Sequence, residues 1–338
     1  MNIILVTPAA HRSRAGNRAT ATRWARLLRG LGHRVRVRVE DDGRPADLMI
    51  ALHAWRNAAA VRTYRARAPR GPLIVALTGT DIYRFQHSDP EPTLASMAAA
   101  DALVGLHERV ADDIPARFHG RLHTVFQSAP PVRRRLPPIQ SRFDICVAGH
   151  LREEKDPLRA AEAVRDLPAQ SRLRVIHVGR AHDADWDAAA RAEMEHNPRF
   201  RWRGEIPHGE VRRLMARSRA MVISSIMEGG ANVVSEACVA GLPVIASDIP
   251  GNRGLLGDDH PACFPVGDTG ALRALLLDIE AHPDRLEALA ARSRTRAERF
   301  TPEAEQAALG RAVDAATGDS AHAEQPSSQG EGARHAGS

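Results

Sequence analysis

Short apolar runs alternate with helix-length segments along most of this 338-residue chain. "NIILVTP" (2–8) predicts a buried strand, and "NRATATRWARLLRGLG" (17–32) predicts a helix ending at Gly32. "HRVRVRV", "DLMIAL", "PLIVALT", "ALVGL" and "LHTVF" follow, most of them separated by helix-length segments. Such alternation specifies a doubly wound parallel sheet with helices on both faces. The clean Arg/Val alternation of "HRVRVRV" suits a strand with one exposed face, at a sheet edge. "QSAPPVRRRLPPIQSR" (127–142) breaks the rhythm with four prolines and an arginine run, as an interdomain linker does. A second series then begins: "FDICVAG", "LRVIHVG", "FRWRG", "AMVISS" and "PVIAS". The fold class expected is α/β, with two Rossmann-like domains facing across a cleft. Residues 1–135 form the first, 142–300 the second, 301–317 a closing helix, and the polar, low-complexity 318–338 a disordered tail.

In open parallel sheets, ligands bind outside the carboxyl ends of the strands. The loops after the strands are therefore where the chemistry is expected. "MEGGANVVSEA" (227–237) lies between an expected strand and a helix starting near Asn232. Gly229, Gly230 and Ala231 carry almost no side chain, and glycine pairs mark special turns or close approach to the main chain. Unpaired N–H groups and the positive dipole end suit such a site to a phosphate. Glu228 and Glu236, on either side, would accept hydrogen bonds from hydroxyls. A nucleotide sugar has that layout, with ribose, diphosphate and sugar in a row. The same residues also fit a plain capping loop with two solvent-facing glutamates.

The second constellation is "VAGHLREEKDPLRA" (147–160), again a strand, a glycine, a loop and a helix start signalled by Asp156-Pro157. Lys155 is the only lysine; the other 46 of the 47 basic residues are arginines. Lys155 and Arg152 project from this loop toward the strand ends, where cations would neutralise charge on a departing diphosphate. "HDADWD" (182–187) mimics a metal-binding pair of aspartates but reads better as a helix cap. "PGNRGLLG" (250–257) is open to two readings, a loop lying along a diphosphate or base, or a plain surface loop.

With these motifs in hand, the chain resembles the retaining glycosyltransferases of family 4, which have the GT-B fold. Glu228 and Glu236 match their E-x7-E pattern, "GLPVIASD" (241–248) matches the segment after it, and "VAGHLREEK" stands in place of their V-G-R-L-x-x-x-K. The resemblance implies a UDP-sugar donor held by Gly149, Glu228, Gly229, Gly230, Ala231, Asn232 and Glu236. It implies catalysis by His150, Arg152, Lys155 and Glu228, without a metal or other cofactor. One departure stands out: His150 occupies the place of the family's arginine. Either Arg152 takes over that charge, or the site handles an unusual acceptor.

Finer stretches resemble one branch, the selenosugar synthases of selenoneine biosynthesis. These are "GNRATATRWARLLRGLGH" (16–33), "LHAWRN" (52–57), "LTGTDIYRF" (77–85), "GHLREEKDPLRAA", "EGGANVVSEA" and "IPGNRGLLG". That resemblance implies transfer of a hexose from UDP-N-acetylglucosamine or UDP-glucose to selenophosphate, and handover of the product to a downstream enzyme. Such an acceptor is already anionic; it needs cations rather than a strong base. The first-domain loops supply candidates: Arg12, Arg14, Gly16, Asn17 and Arg18, then His53 and Arg56, then Thr78, Thr80 and Asp81. His53 on its own reads as a packed or hydrogen-bonded residue.

Other classes fit less well. A net charge of +6 favours anionic ligands, but nucleic-acid binding needs a basic stripe interleaved with aromatics, and aromatics are only 4%. No G-x-G-x-x-G follows the first strand, which disfavours a dinucleotide dehydrogenase. No run approaches the roughly 18–20 apolar residues of a membrane span, and no aromatic-rich amphipathic helix points to a lipid-linked acceptor. Three scattered cysteines in apolar segments and the lack of a signal peptide predict a cytoplasmic protein. An ordinary hydroxyl acceptor remains the alternative to selenophosphate.

Overall fold

Two six-stranded parallel sheets organise the chain. The computed structural model describes residues 1–11, 16–131, 137 and 139–318. The first sheet takes its strands from β1 (Asn2–Val6), β2 (Arg34–Arg38), β3 (Leu48–Leu52), β4 (Leu73–Leu77), β5 (Ala102–Gly105) and β6 (Leu122–Thr124). Helices α1 (Gly16–Gly30), α2 (Ala58–Arg67), α3 (Gln86–Ser88) and α4 (Pro90–Ala99) lie between them, with a π-helical turn at Asp81–Phe85 leading into α3. The order is β2-β1-β3-β4-β5-β6. Every residue of β3 and β4 is buried, as expected of central strands covered on both faces. β2 is the edge strand that its Arg/Val alternation predicts, with Val35 and Val37 turned to the core.

The second sheet repeats the design with β7 (Phe143–Ala148), β8 (Leu173–Val178), β9 (Phe200–Trp202), β10 (Ala220–Ile223), β11 (Val244–Ser247) and β12 (Cys263–Phe264). Its helices are α5 (Arg159–Ala163), α6 (Ala184–His196), α7 (His208–Arg217), α8 (Asn232–Val239) and α9 (Pro250–Leu256), followed by α10 (Thr269–Ala281) and α11 (Pro283–Ala297). The order is β12-β11-β10-β7-β8-β9. The order in which strands are added reverses between β7 and β10, so the loops after these two parallel strands flank the crevice where open α/β sheets bind ligands. Both donor-side motifs fall on those two loops. In the first sheet the same reversal lies between β1 and β3, at the loops holding Gly16 and His53.

The final helix, α12 (Pro302–Thr317), returns to the first domain. Its Ala308, Leu309, Ala312 and Val313 join Trp24, Leu28, Leu106 and Val125 in one buried cluster. Phe300, just before it, belongs to a core cluster of the second domain.

Candidate active site

Lys155 and Glu228 meet at the carboxyl ends of β7 and β10. The Lys155 ammonium donates to Glu228 Oε1, and Ser225 Oγ donates to the same oxygen at 2.6 Å. A side-chain and a main-chain hydrogen bond also tie the two loops. Ser224 Oγ donates to Asp156 O at 2.8 Å, and Ile226 N donates to Glu154 O at 3.0 Å. Glu228 is 8% exposed, and these donors offset the cost of burying its carboxylate. Fully buried His177 lies beneath, its Nε2 donating to Gly149 O at 3.0 Å. Burial pushes its pKa down to about 4, so it is neutral. Neither Ser225 nor His177 stood out in the sequence; a serine after a strand and a histidine within one are too common to signal a site.

The bare backbone of Gly229 and Gly230 has a reason that the sequence alone did not reveal. A Cβ at Gly229 would lie 2.2 Å from Thr78 C and 2.3 Å from Gly79 N, on the first domain. One at Gly230 would lie 2.5 Å from Leu106 Cβ. Gly79 itself has φ +127° and would carry its Cβ 2.8 Å from Gly229 N. The two domains therefore touch main chain to main chain here, beside Glu228. Ala231 and Asn232 then lead into α8, with Val234 N donating to Ala231 O at 2.9 Å. Glu236, one turn on, accepts from His208 Nε2 at 2.9 Å. That bond raises the His208 pKa above its usual value. Arg212 holds the same turn by donating to Glu236 O at 3.2 Å.

The loop after β7 differs in part from its sequence reading. Asp156 does not start a helix: it sits in the left-handed region at φ 42° and closes the turn Glu153–Lys155. α5 begins only at Arg159, whose guanidinium pairs with Asp156 at 2.8 Å. The left-handed residue turns the chain so that Lys155 faces Glu228. His150 Nδ1 accepts from Arg180 N at 3.1 Å. Burial, with Arg152, Arg180 and Lys155 nearby, lowers its pKa against the opposing pull of Glu205. With Nδ1 accepting, its imidazole is a neutral group in the place of the family's arginine. Arg152 lies with its Nε 3.8 Å from Glu154 Oε2 and is largely exposed, so Lys155 is the cation that reaches Glu228.

On the acceptor side, three strand ends come together. His53 is buried with φ 83°. Arg56 N donates to its Nδ1 at 3.2 Å, which leaves the proton on Nε2 for Thr80 Oγ1 at 2.9 Å. Burial holds this imidazole below its usual pKa. Asp81, read as a possible ligand contact, is fully buried. Its carboxylate accepts from the amides of Ala54, Thr78, Gly79 and Ile82, which shapes the loop from behind and leaves nothing to face a ligand. Thr78 and Thr80 are half-buried on the loop that touches Gly229. Gly16, Asn17 and Arg18 open α1; Arg18 is half-buried. Arg56 is exposed, its guanidinium carbon 5.8 Å from the centre of the Phe85 ring. Arg12 and Arg14 lie outside the described residues.

Two further expectations resolve. "PGNRGLLG" is a loop in neither sense. Its first seven residues form α9, with Pro250 in its first turn, and its glycines let the helix press against Glu228 O at Gly251 and against His107 of the first domain at Gly254. "HDADWD" is a cap: Asp183 accepts from Trp186 N at 3.0 Å at the start of α6. No described helix is long and apolar enough to cross a membrane.

Comparison with known proteins falls on this geometry. Residues 131–296, which hold both donor-side loops, match the family model of glycosyl transferases group 1. No curated protein matches the chain. Among solved structures, sucrose-phosphate synthase from Thermosynechococcus elongatus superposes with a TM-score of 0.75 at 17% identity, over 94% of this chain and 100% of that one. HepE from Anabaena, in complex with UDP-glucose, superposes with a TM-score of 0.74 at 14% identity, over 93% and 99%. At such identities the likeness concerns the fold, which is GT-B in architecture. On the family match, residues 131–296 form a glycosyl transferases group 1 domain and the chain is a glycosyltransferase.

Proposed function

We propose that this enzyme transfers a hexose from a UDP-sugar to selenophosphate. The C1–O bond to the diphosphate breaks and a C–Se bond forms; water then cleaves Se–P, so that UDP and phosphate are released. The observation that carries the acceptor choice is the state of the candidate bases in the first-domain loops. Both nitrogens of His53 are engaged by Arg56 N and Thr80 Oγ1, and Asp81 is saturated by amides. An alcohol would need a base there, whereas an anion does not. Arg18 is half-buried and has no ion-pair partner among the described residues, which suits it to an anionic acceptor. The stretches resembling selenosugar synthases supply these same loops.

The donor reading draws support from HepE, solved in complex with UDP-glucose. Lys155 would neutralise the leaving diphosphate, with no metal required for that step. Glu236 would accept from ribose hydroxyls and Glu228 from the hexose, while Gly149, Gly230 and the amides opening α8 line the diphosphate. The product would pass to the next enzyme of the selenoneine route.

The test is direct. Purified protein is incubated with selenophosphate and either UDP-N-acetylglucosamine or UDP-glucose, and selenium-bearing sugar and UDP are followed by mass spectrometry. Arg18→Ala is expected to raise the KM for selenophosphate and leave that for the UDP-sugar nearly unchanged. Consumption of a sugar alcohol, with selenophosphate left intact, would replace this reading with an ordinary hydroxyl acceptor.

A further inference from the structure

The loop that carries Glu228 is held from the other domain by side chains that belong to neither motif. Arg23, on α1, lies with its Nε 2.8 Å from Glu305 Oε2 and sends Nη1 to Asn232 Oδ1 at 3.1 Å. Gln127, just after β6, has its amide between acceptors on one side and donors on the other, and the orientation that pairs both, assigned from these neighbours, sends its nitrogen to Gly230 O at 2.8 Å and Asn232 Oδ1 at 3.2 Å. Its oxygen accepts from Thr20 Oγ1 at 2.6 Å and Arg23 Nη2 at 3.1 Å. Both contacts land on the segment between the two glutamates of the E-x7-E pattern.

Glu305 explains why Arg23 can hold this pose. It is 1% exposed, on α12, and accepts from Arg23 Nε, Trp24 Nε1 at 2.8 Å, Ser128 N at 2.8 Å and Ser128 Oγ. A carboxylate so buried gains little net stability from its ion pair, because desolvation offsets the attraction. Saturated by fixed donors, it does set orientation. It fixes one edge of the guanidinium fork and aims the other at Asn232, a geometry that a point charge cannot reproduce.

We infer that Arg23, aimed by Glu305, and Gln127 are positioning residues for the donor-binding loop. The first domain thereby shapes Gly230 and Asn232 of the second, and donor affinity depends on the two domains being docked. This rests on the UDP-sugar reading above, and the experiment separates the two.

The experiment compares hydrogen–deuterium exchange over residues 229–236 in the ligand-free enzyme with calorimetric UDP affinity, for wild type, Arg23→Lys and Gln127→Ala. Arg23→Lys keeps the charge beside Glu305 and serves as the folded variant; Gln127→Ala removes the amide with the one methylene that carries it. Both are expected to speed exchange in this segment and to raise the UDP Kd, each by roughly five- to tenfold, the change produced by losing a buried hydrogen bond. A role confined to general stability would lower the melting temperature and leave exchange in this segment, measured well below melting, at the wild-type rate. Unchanged exchange in both variants overturns the inference. Faster exchange in protein whose wild type does not bind UDP upholds the positioning of Gly230 and Asn232 by Arg23 and Gln127 and overturns its link to UDP-sugar affinity.

Discussion

Gly229→Ala tests the closest point of contact between the domains. The new Cβ would sit 2.2 Å from Thr78 C and 2.3 Å from both Gly79 N and Thr78 O. Carbon atoms in contact normally stand about 3.5–4.0 Å apart, so the overlap exceeds roughly 1 Å. The opposing atoms are all backbone, which cannot rotate away as a side chain would. Gly229 does not adopt left-handed φ, so alanine brings no backbone strain, and the clash is relieved only by moving one domain's loop away from the other. A displacement of about 1 Å between reacting groups costs on the order of 10² in rate. The fold itself should be little affected, because the buried clusters of the two domains lie elsewhere. We therefore expect turnover of UDP-sugar to fall about a hundredfold, with the melting temperature nearly unchanged and UDP affinity reduced far less than turnover. Gly120→Ala, where a Cβ meets nothing within 4 Å, is the control. Wild-type turnover by a folded Gly229→Ala enzyme would refute the reasoning, showing that this contact is not kept during transfer.

Two further outcomes follow from the charges at the site. Lys155→Ala leaves the carboxylate of Glu228 with Ser225 Oγ, and turnover should drop by about 10²–10³ with a smaller change in UDP affinity; near-normal turnover would mean the ion pair serves only to tie the two loops. His208 has its pKa raised, chiefly by the bond to Glu236. The stabilisation is therefore complete below the usual histidine value and is lost as pH rises through the raised one. The melting temperature of wild type should exceed that of His208→Gln most at about pH 5.5–6 and converge with it near pH 8. The difference should be small, since the His208 side chain is 64% exposed; a gap independent of pH would assign the stabilisation to packing.

What was legible in the sequence follows the range of the interactions. Strand and helix alternation is written in local hydrophobic pattern, so both sheets could be read, including the place of "HRVRVRV" at an edge. The spacing of Glu228 and Glu236 is also local, and it marked the loop at the second sheet's switch point. Contacts between distant segments were not legible. Glycines in "PGNRGLLG" read as a loop by propensity, yet they serve a helix pressed against Glu228 and His107. The pair at 229–230 carried a sign of close approach, but not that part of what approaches is the other domain's backbone. Asp81 resembled a ligand contact because its saturation by four amides depends on the folded loop. Arg23 was one of 46 arginines; its partner Glu305 lies 282 residues away, and no local pattern links the two.

The return of α12 to the first domain reverses the order in which the halves can be finished during synthesis. β6 ends at Thr124, and Pro302 begins the helix that supplies Ala308, Leu309, Ala312 and Val313 to the first core. At about 5–20 residues per second, the roughly 180 intervening residues take about 10–40 s to emerge. Throughout that interval the first sheet presents to solvent the apolar groove that α12 will fill, while the second domain acquires all its strands. The nascent chain is thus most prone to association midway through translation. The half made first is the half completed last, and a product terminated before residue 302 carries that groove open permanently.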